Sequence, residues 1–393
     1  MEIVEAMTQA DTPREEFDLA VIGAGIVGAS IAYHATRGAA PLRVLLLEAE
    51  AAAGYHTTGR SAALFAEGYG PPPVRALTRA SRAFFEAPPA GFCEQPLLAT
   101  RGVMFVGSAE EEPLARDLQA MLAREGCQPQ WLDGAAARAR VPVLREHASA
   151  VAVLDRGAFD IDVDALLQGF LRGARAAGAV FIRQARVSAL RRQADCWQIG
   201  TAGGLSFRAR TIVNAAGAWV DDVAALASVS PVQIEPRRRT AFLFDPPQGV
   251  TSAGWPAVIA VDESWYFKPD AGLLLGSPAN ADPVHPHDVV PEEFDVALGI
   301  HNIQNATTLT IRRPRKAWAG LRCFVADGEP VCGFAPGAPG FFWAAAVGGY
   351  GIQSAPAFGR LCAALLRGEP VPADIAAQGL DADRLGPGRL SPA

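Results

Sequence analysis

The chain has 393 residues, half of them hydrophobic, with 35 Lys and Arg against 41 Asp and Glu for a formal net charge of −6. This length buries a large core and predicts two or three domains, and the composition excludes a disordered chain. The mildly acidic balance gives no general attraction for nucleic acid or anionic lipid, and no apolar run reaches the length of a bilayer span.

Residues 1–16 are polar and acidic, which predicts a flexible N-terminal tail rather than a secretory leader. An apolar strand, Leu19-Ala20-Val21-Ile22, then runs into Gly23-Ala24-Gly25-Ile26-Val27-Gly28. A helical segment follows to Thr36, and a second apolar run, Val44 to Leu47, ends on Glu48. In this arrangement each glycine has its own task. Gly23 permits the tight turn, Gly25 lets the backbone approach a pyrophosphate, and Gly28 lets the helix pack close to the strand. The helix N-terminus offers free N–H groups and partial positive charge to phosphates. Glu48 stands at the offset, about 20 residues on, where an acid takes a ribose hydroxyl. A dinucleotide site is expected; the bland alternative is a glycine-rich turn in an unrelated α/β fold.

Three further segments fit an extended ligand. Gly54 to Ala63 is small and polar, as a loop threading along a cofactor would be. Thr211 to Asn214 reads as a strand ending in the small residues Ala215, Ala216 and Gly217, which allow close backbone approach. Phe341 to Ala346 runs into Gly348-Gly349-Tyr350-Gly351 and a predicted helix from Ile352 to Leu366. These motifs lie near residues 20, 215 and 350, so the dinucleotide portion is discontinuous and a second domain is inserted into it. We assign 17–100, 150–232 and 318–393 to the first, and 101–149 and 233–317 to the second. Strand signals at Thr240 to Phe244, Trp265 to Phe267 and Leu273 to Leu275, with Pro/Gly turns between them, predict an antiparallel sheet there. The fold class is α/β with an α+β second domain: a Rossmann-like dinucleotide-binding domain carrying an inserted antiparallel-sheet substrate domain.

With these segments in this order, the chain resembles the FAD-dependent D-amino-acid oxidase and glycine oxidase superfamily, and within it bacterial D-arginine dehydrogenase. The passages that carry the likeness include Gly54 to Ala63, Val74 to Phe85, Pro88 to Glu94, Gly276 to Pro283, Ala306 to Pro314 and Gly348 to Gln353. The resemblance implies noncovalent FAD and oxidation of a D-amino acid to its imino acid by hydride transfer from Cα to the flavin. It places cofactor contacts at Gly23, Gly25, Ile26, Gly28, Glu48, Arg60, Ser61, Ala62, Val187, Ala216 and Gly217. Further contacts fall at Gly348, Gly349, Tyr350, Gly351, Ile352 and Gln353.

A substrate carboxylate calls for arginine, whose planar fork matches it bidentately. Arg239 ends the basic run Arg237-Arg238-Arg239, ordinarily a solvated cluster, but it is in phase with Ala241 and Leu243 on one strand face. Arg322 lies in an apolar setting with few nearby acids, and a buried arginine needs a partner. Both match the carboxylate-binding arginines of the resembled enzyme. Tyr69, in a glycine-flanked loop that could form a lid, and Tyr266, which alone reads as ordinary sheet packing, match its pocket tyrosines. The departures matter equally. The glutamate that pairs with a substrate guanidinium falls on Val103, the active-site histidine on Leu64, and a threonine on Ala66. A methionine and a valine become Ala257 and Ile259. The pocket, with Gly349 near the carboxylate, is therefore expected to favour neutral or apolar D-amino acids over D-arginine. Glu67 is the one new charge in the lid loop.

Six cysteines without framework or metal-ligand spacing predict a reduced cytoplasmic protein, free or peripheral at the inner membrane face. Some relatives tether flavin through a cysteine near Cys323, but that residue alternates with Arg322 and is expected to face away. His285 and His287 read as a solvated turn, so no metal is expected. A small-molecule substrate, an electron acceptor that is either quinone or oxygen, and a monomer or weak dimer complete the expectations. No strong base for the substrate amine is evident. Two alternatives stand beside this reading: a 2-hydroxy-acid or secondary-amine dehydrogenase on the same fold, and a flavoprotein that acts as a binding or assembly factor without turnover.

Overall fold

The computed structural model describes residues 16–390. The expected tail therefore lies outside the described residues, except that Glu16 already opens the first strand. The strand β1 (Glu16–Ile22) leads through the glycine turn into the helix α1 (Ile26–Ala35) and on to the strand β2 (Val44–Leu47). β1 lies parallel between β2 and the strand Ser206–Asn214, which pairs in turn with Phe341–Ala345. Val180–Ile182 extends the parallel set beyond β2, and an antiparallel hairpin of Val187–Gln193 and Cys196–Thr201, with Val331–Phe334 antiparallel to Phe341–Ala345, widens the sheet to eight strands. All four residues of β2 are buried, as expected of a parallel strand covered on both faces. Alternate residues divide between two cores. Leu19, Val21, Val44 and Leu46 pack on the side of α1 and the helix Gly351–Leu366, while Ala20, Ile22, Leu45 and Leu47 pack on the other.

The second sheet has nine strands. It runs from the edge strand Gln130–Asp133 through Val151–Asp155, Val103–Gly107, Ala257–Ala260, Tyr266–Asp270 and Leu273–Ser277 to Glu235–Phe244. Glu235–Phe244 also pairs with Lys316–Phe324 and with the short strand Asp282–Pro283. Two expectations are corrected here. Val151–Asp155 and Lys316–Phe324 belong to this sheet, although boundaries at 150 and 318 put them with the first. The sheet is also not wholly antiparallel, since Ala257–Ala260 runs parallel to Val103–Gly107. The long intervening segment passes through the other sheet and supplies the crossover that a parallel pair needs.

A small sheet of Leu64–Phe65, Leu98–Thr100 and Phe159–Ile161 sits at the junction. Its Asp160 accepts from Lys268 Nζ at 2.6 Å and from Arg101 Nε at 2.7 Å. Lys268 is 2% exposed, so this carboxylate compensates a buried charge. Among the described residues no helix is long and apolar enough to cross a membrane.

Candidate functional site

A cavity of about 420 Å³ runs from the glycine turn and Glu48 to Arg239 and Arg322, lined by residues of both sheets. At the turn, the three glycines separate by cause. Gly23 has φ +103°, and a Cβ there would lie 2.5 Å from the Ala215 carbonyl oxygen. A Cβ on Gly28 would lie 1.9 Å from the Gly23 carbonyl oxygen, so α1 is pressed onto the turn itself. A Cβ on Gly25 would meet only Thr58 Oγ1, at an ordinary 3.5 Å. The protein thus needs glycine at 23 and 28 for its own packing, and leaves an open cradle at 25. Gly25 caps α1 without a side-chain hydrogen bond, and no acid occupies the first turn. A helix end left this way suits an anionic diphosphate.

The remaining expected cofactor contacts fall into two groups. Ile26, Ala62, Val187, Ala216, Gly217, Gly348, Gly351 and Ile352 line the cavity, and Gly217 and Gly348 both have positive φ. Glu48 is buried at the end of β2 and accepts from the Ala24 N–H at 2.8 Å and the Glu50 N–H at 2.9 Å. A carboxylate has acceptor capacity beyond two bonds, so a ribose hydroxyl fits beside them. Together with the cradle at Gly25, these residues fit the adenosine diphosphate half of FAD.

Others are committed elsewhere. Arg60 reaches the cavity but spends its guanidinium on Asp288 and on the carbonyls of Val289 and Ala319, tying the loop to the second sheet. Ser61 Oγ accepts from the Ala63 N–H at 2.9 Å. Gln353 accepts from the Ala66 N–H at 3.1 Å and donates to the Tyr69 carbonyl, anchoring the lid loop. Tyr350 faces the substrate side, its ring 5.0 Å from Tyr69 and 5.6 Å from the Arg322 guanidinium carbon. Thr58, which the sequence reading does not single out, accepts from the Ile26 N–H at 3.1 Å.

Strand alternation sorts the three consecutive arginines. Arg238 points to one face and joins Asp295 at 2.8 Å, with Glu292 and Asp282 close by. Arg237 and Arg239 point to the other. Arg322 lies directly across from Arg237 and shares that face, while Gly320 lies across from Arg239. Arg239 donates from Nε to the Asn280 carbonyl at 2.6 Å, and Arg322 donates to Tyr69 Oη at 3.0 Å. A Cβ on Gly349 would fall 1.8 Å from an Arg322 nitrogen, so the guanidinium occupies the space that this glycine vacates. Among the described residues neither Arg239 nor Arg322 forms an ion pair with an acid. Burial and the Arg322 charge together pull the Arg239 pKa down. Arg322 moves the other way: burial opposes its charge most strongly, but Tyr69 and its other tyrosine neighbours raise it.

Leu64, Ala66, Val103, Ile259 and Tyr266 line the same cavity as this pair. Ala257 is buried next to Val103 and lines no cavity wall. Glu67 is engaged by the helix Pro72–Glu86. It pairs with Arg82 at 3.1 Å and lines neither cavity. Two other carboxylates, Glu263 and Asp155, do face cavity space, and sequence reasoning missed both. Cys323 sits on the strand face opposite Arg322, in an apolar cluster with Ala218 and Leu321, and burial pushes its thiol up to about 12. His287 is engaged with the His285 carbonyl at 2.7 Å.

Comparison with known proteins gives the site its context. The chain is 27% identical over 288 residues to N-methyl-L-tryptophan oxidase of Citrobacter koseri, covering 68% of this chain and 74% of that one. Among solved structures it resembles glycine oxidase from Geobacillus kaustophilus, with a TM-score of 0.81, 23% identity, and coverage of 94% and 98%. It also resembles L-amino acid deaminase from Proteus vulgaris, with a TM-score of 0.78, 18% identity, and coverage of 97% and 99%. The model of the FAD dependent oxidoreductase family matches residues 18–365, a span that holds the glycine turn, the cavity and both arginines. The chain belongs to the DAO family of FAD-dependent oxidoreductases.

Proposed function

We propose that this enzyme oxidises a D-α-amino acid to its imino acid, which water hydrolyses to a 2-oxo acid and ammonia. The observation that carries the reading is the pair Arg239 and Arg322, half-buried on one sheet face without an acid partner among the described residues. Bound FAD supplies the two-electron acceptor. The chain supplies position. Arg239 and Arg322 hold the substrate carboxylate, Tyr69 steadies Arg322, and Gly349 gives the guanidinium room. The lid loop, fastened by Gln353, excludes water from the same space. Holding Cα in a fixed attitude is the main catalytic contribution that such residues make. The D configuration is supported by the likeness of the arginines and tyrosines to those of D-arginine dehydrogenase.

Leu64, Ala66, Val103 and Ile259 form an apolar wall beside the arginines. This wall supports a preference for neutral side chains over D-arginine, since none of its four residues offers a guanidinium an acceptor in exchange for lost water. The flavin is proposed to be noncovalent, with oxygen or a quinone as its oxidant. A second reading, oxidation of a secondary amine, is favoured by the relative that by its name acts on N-methyl-L-tryptophan.

Anaerobic mixing with D-, L- and N-methyl amino acids and with 2-hydroxy acids tests the proposal. Bleaching of the flavin by D-amino acids is expected. Bleaching by N-methyl or L-amino acids alone, or by hydroxy acids alone, would replace it.

A further inference from the structure

Beside the clamp lies a second cavity of about 270 Å³. It shares Ala66, Tyr69, Val103, Phe105 and Glu263 with the larger one, so the two adjoin next to the arginines. Its outer wall is apolar, made by Leu118, Met121 and Leu122 of the helix Glu112–Arg124. Its lining carries two carboxylates, the exposed Glu263 at the mouth and Asp155 on the inner wall. Asp155 stands directly across from Val103 in the paired strands and is 4% exposed. Its Oδ1 accepts from the Gly157 N–H at 2.8 Å, and among the described residues Oδ2 receives no donor and the carboxylate has no ion pair. Oδ2 therefore has spare acceptor capacity for a ligand group that donates to it. Burial first, and the nearby Glu67 charge next, push the Asp155 carboxyl above the usual carboxylate range.

The cavity is not shaped for a cation. Arg75 lines it, donating to the Gly70 carbonyl at 2.6 Å and pairing with Glu125 at 2.9 Å. Its charge is thus compensated, while Leu118, Met121 and Leu122 would strip water from a guanidinium or ammonium along one whole wall without pairing it. An apolar helix wall facing an inner acceptor matches a neutral ring bearing a donor.

We propose that this cavity seats the substrate side chain, and that the preferred side chain is a large, planar, neutral ring whose N–H or O–H donates to Asp155. The proposal rests on the amino-acid reading of the clamp and names the side-chain class within it.

The probes are D-tryptophan, 1-methyl-D-tryptophan, which lacks the ring donor, D-alanine and D-arginine. With the holoenzyme, kcat/KM for D-tryptophan is expected to exceed that for each of the others at least tenfold. Leu118→Trp fills the cavity from the helix side, away from the Asp155 turn, and is expected to lower the ratio of D-tryptophan to D-alanine kcat/KM at least tenfold. Asp155→Asn should narrow the gap between D-tryptophan and its 1-methyl form. Equal rates for those two, a ratio that Leu118→Trp leaves alone, or D-arginine as the best substrate would each overturn the assignment while leaving the clamp intact. If no amino acid reduces the flavin, the clamp reading has failed, and binding decides the cavity separately. Indole-3-propionate should then raise the holoenzyme melting temperature more than 1-methylindole-3-propionate does, with the difference lost in Leu118→Trp. No such difference would also overturn the assignment.

Discussion

At the scale of single residues, the glycines make a test that separates folding from cofactor binding. Gly28→Ala drives a Cβ against the Gly23 carbonyl oxygen, a backbone atom that cannot yield, and should give insoluble or unfolded protein. At Gly25 the protein leaves room, so Gly25→Val should fold with a native circular dichroism spectrum and yet be colourless. A yellow Gly25→Val with full flavin occupancy would remove the diphosphate from this turn. The arginines follow the same logic. Arg239→Met or Arg322→Met should cost about 3–5 kcal/mol in kcat/KM, the usual penalty for breaking a buried charged pair. Cys323 bears on how the cofactor is held. With its thiol pushed up to about 12, little thiolate forms near neutral pH, and acid precipitation should release all flavin into the supernatant. Yellow precipitate carrying flavin mass on the Cys323 peptide would show a tether instead.

At the scale of elements, strand phase made part of the site legible. Arg239 could be placed beside Ala241 from alternation alone, and the strand–turn–helix pattern located the glycine cradle from contiguous residues. What could not be read depends on partners distant in sequence. Glu67 is neutralised by Arg82 on the helix Pro72–Glu86, and nothing local to the lid loop announces that pairing. Asp155 enters the side cavity only because its strand lies antiparallel to Val103–Gly107, in a register no turn chemistry dictates. The two misplaced strands failed for the same reason: sheet membership follows pairing, and the domains exchange the chain several times. The junction has its own test. Asp160→Asn leaves Lys268 buried without its counter-charge, and should destabilise the fold by about 3–5 kcal/mol in denaturant unfolding. Asp160→Asn with wild-type stability would show that Lys268 finds compensation elsewhere.

At the scale of the whole molecule, two sheets built from interleaved segments line the main cavity, so stability and function share a framework. One half-buried group gives that framework a pH dependence. His34 on α1 is enclosed by Tyr33, Phe84 and Phe170, with Nε2 buried and without a partner. Burial, and then the charges of neighbouring arginines, lower its pKa from 6.5 to about 3. The folded value lies below the unfolded one, so the unfolded chain binds the extra proton. This contribution is complete above about pH 6.5 and is lost progressively as pH falls toward about 3. The melting temperature should fall over that window, and His34→Phe should flatten the fall; an unchanged slope in that variant would assign the acid sensitivity to other groups.

The central claim is that Arg239 and Arg322 recognise a substrate carboxylate at the bound flavin. The most direct measurement is anaerobic flavin reduction by D-leucine and by 3-methylbutylamine, its decarboxylated counterpart, in the wild type and in Arg322→Met. The wild type should reduce far faster with D-leucine, and the variant should lose at least a hundredfold of that preference, the rate equivalent of about 3 kcal/mol. The same preference in both proteins would contradict the clamp.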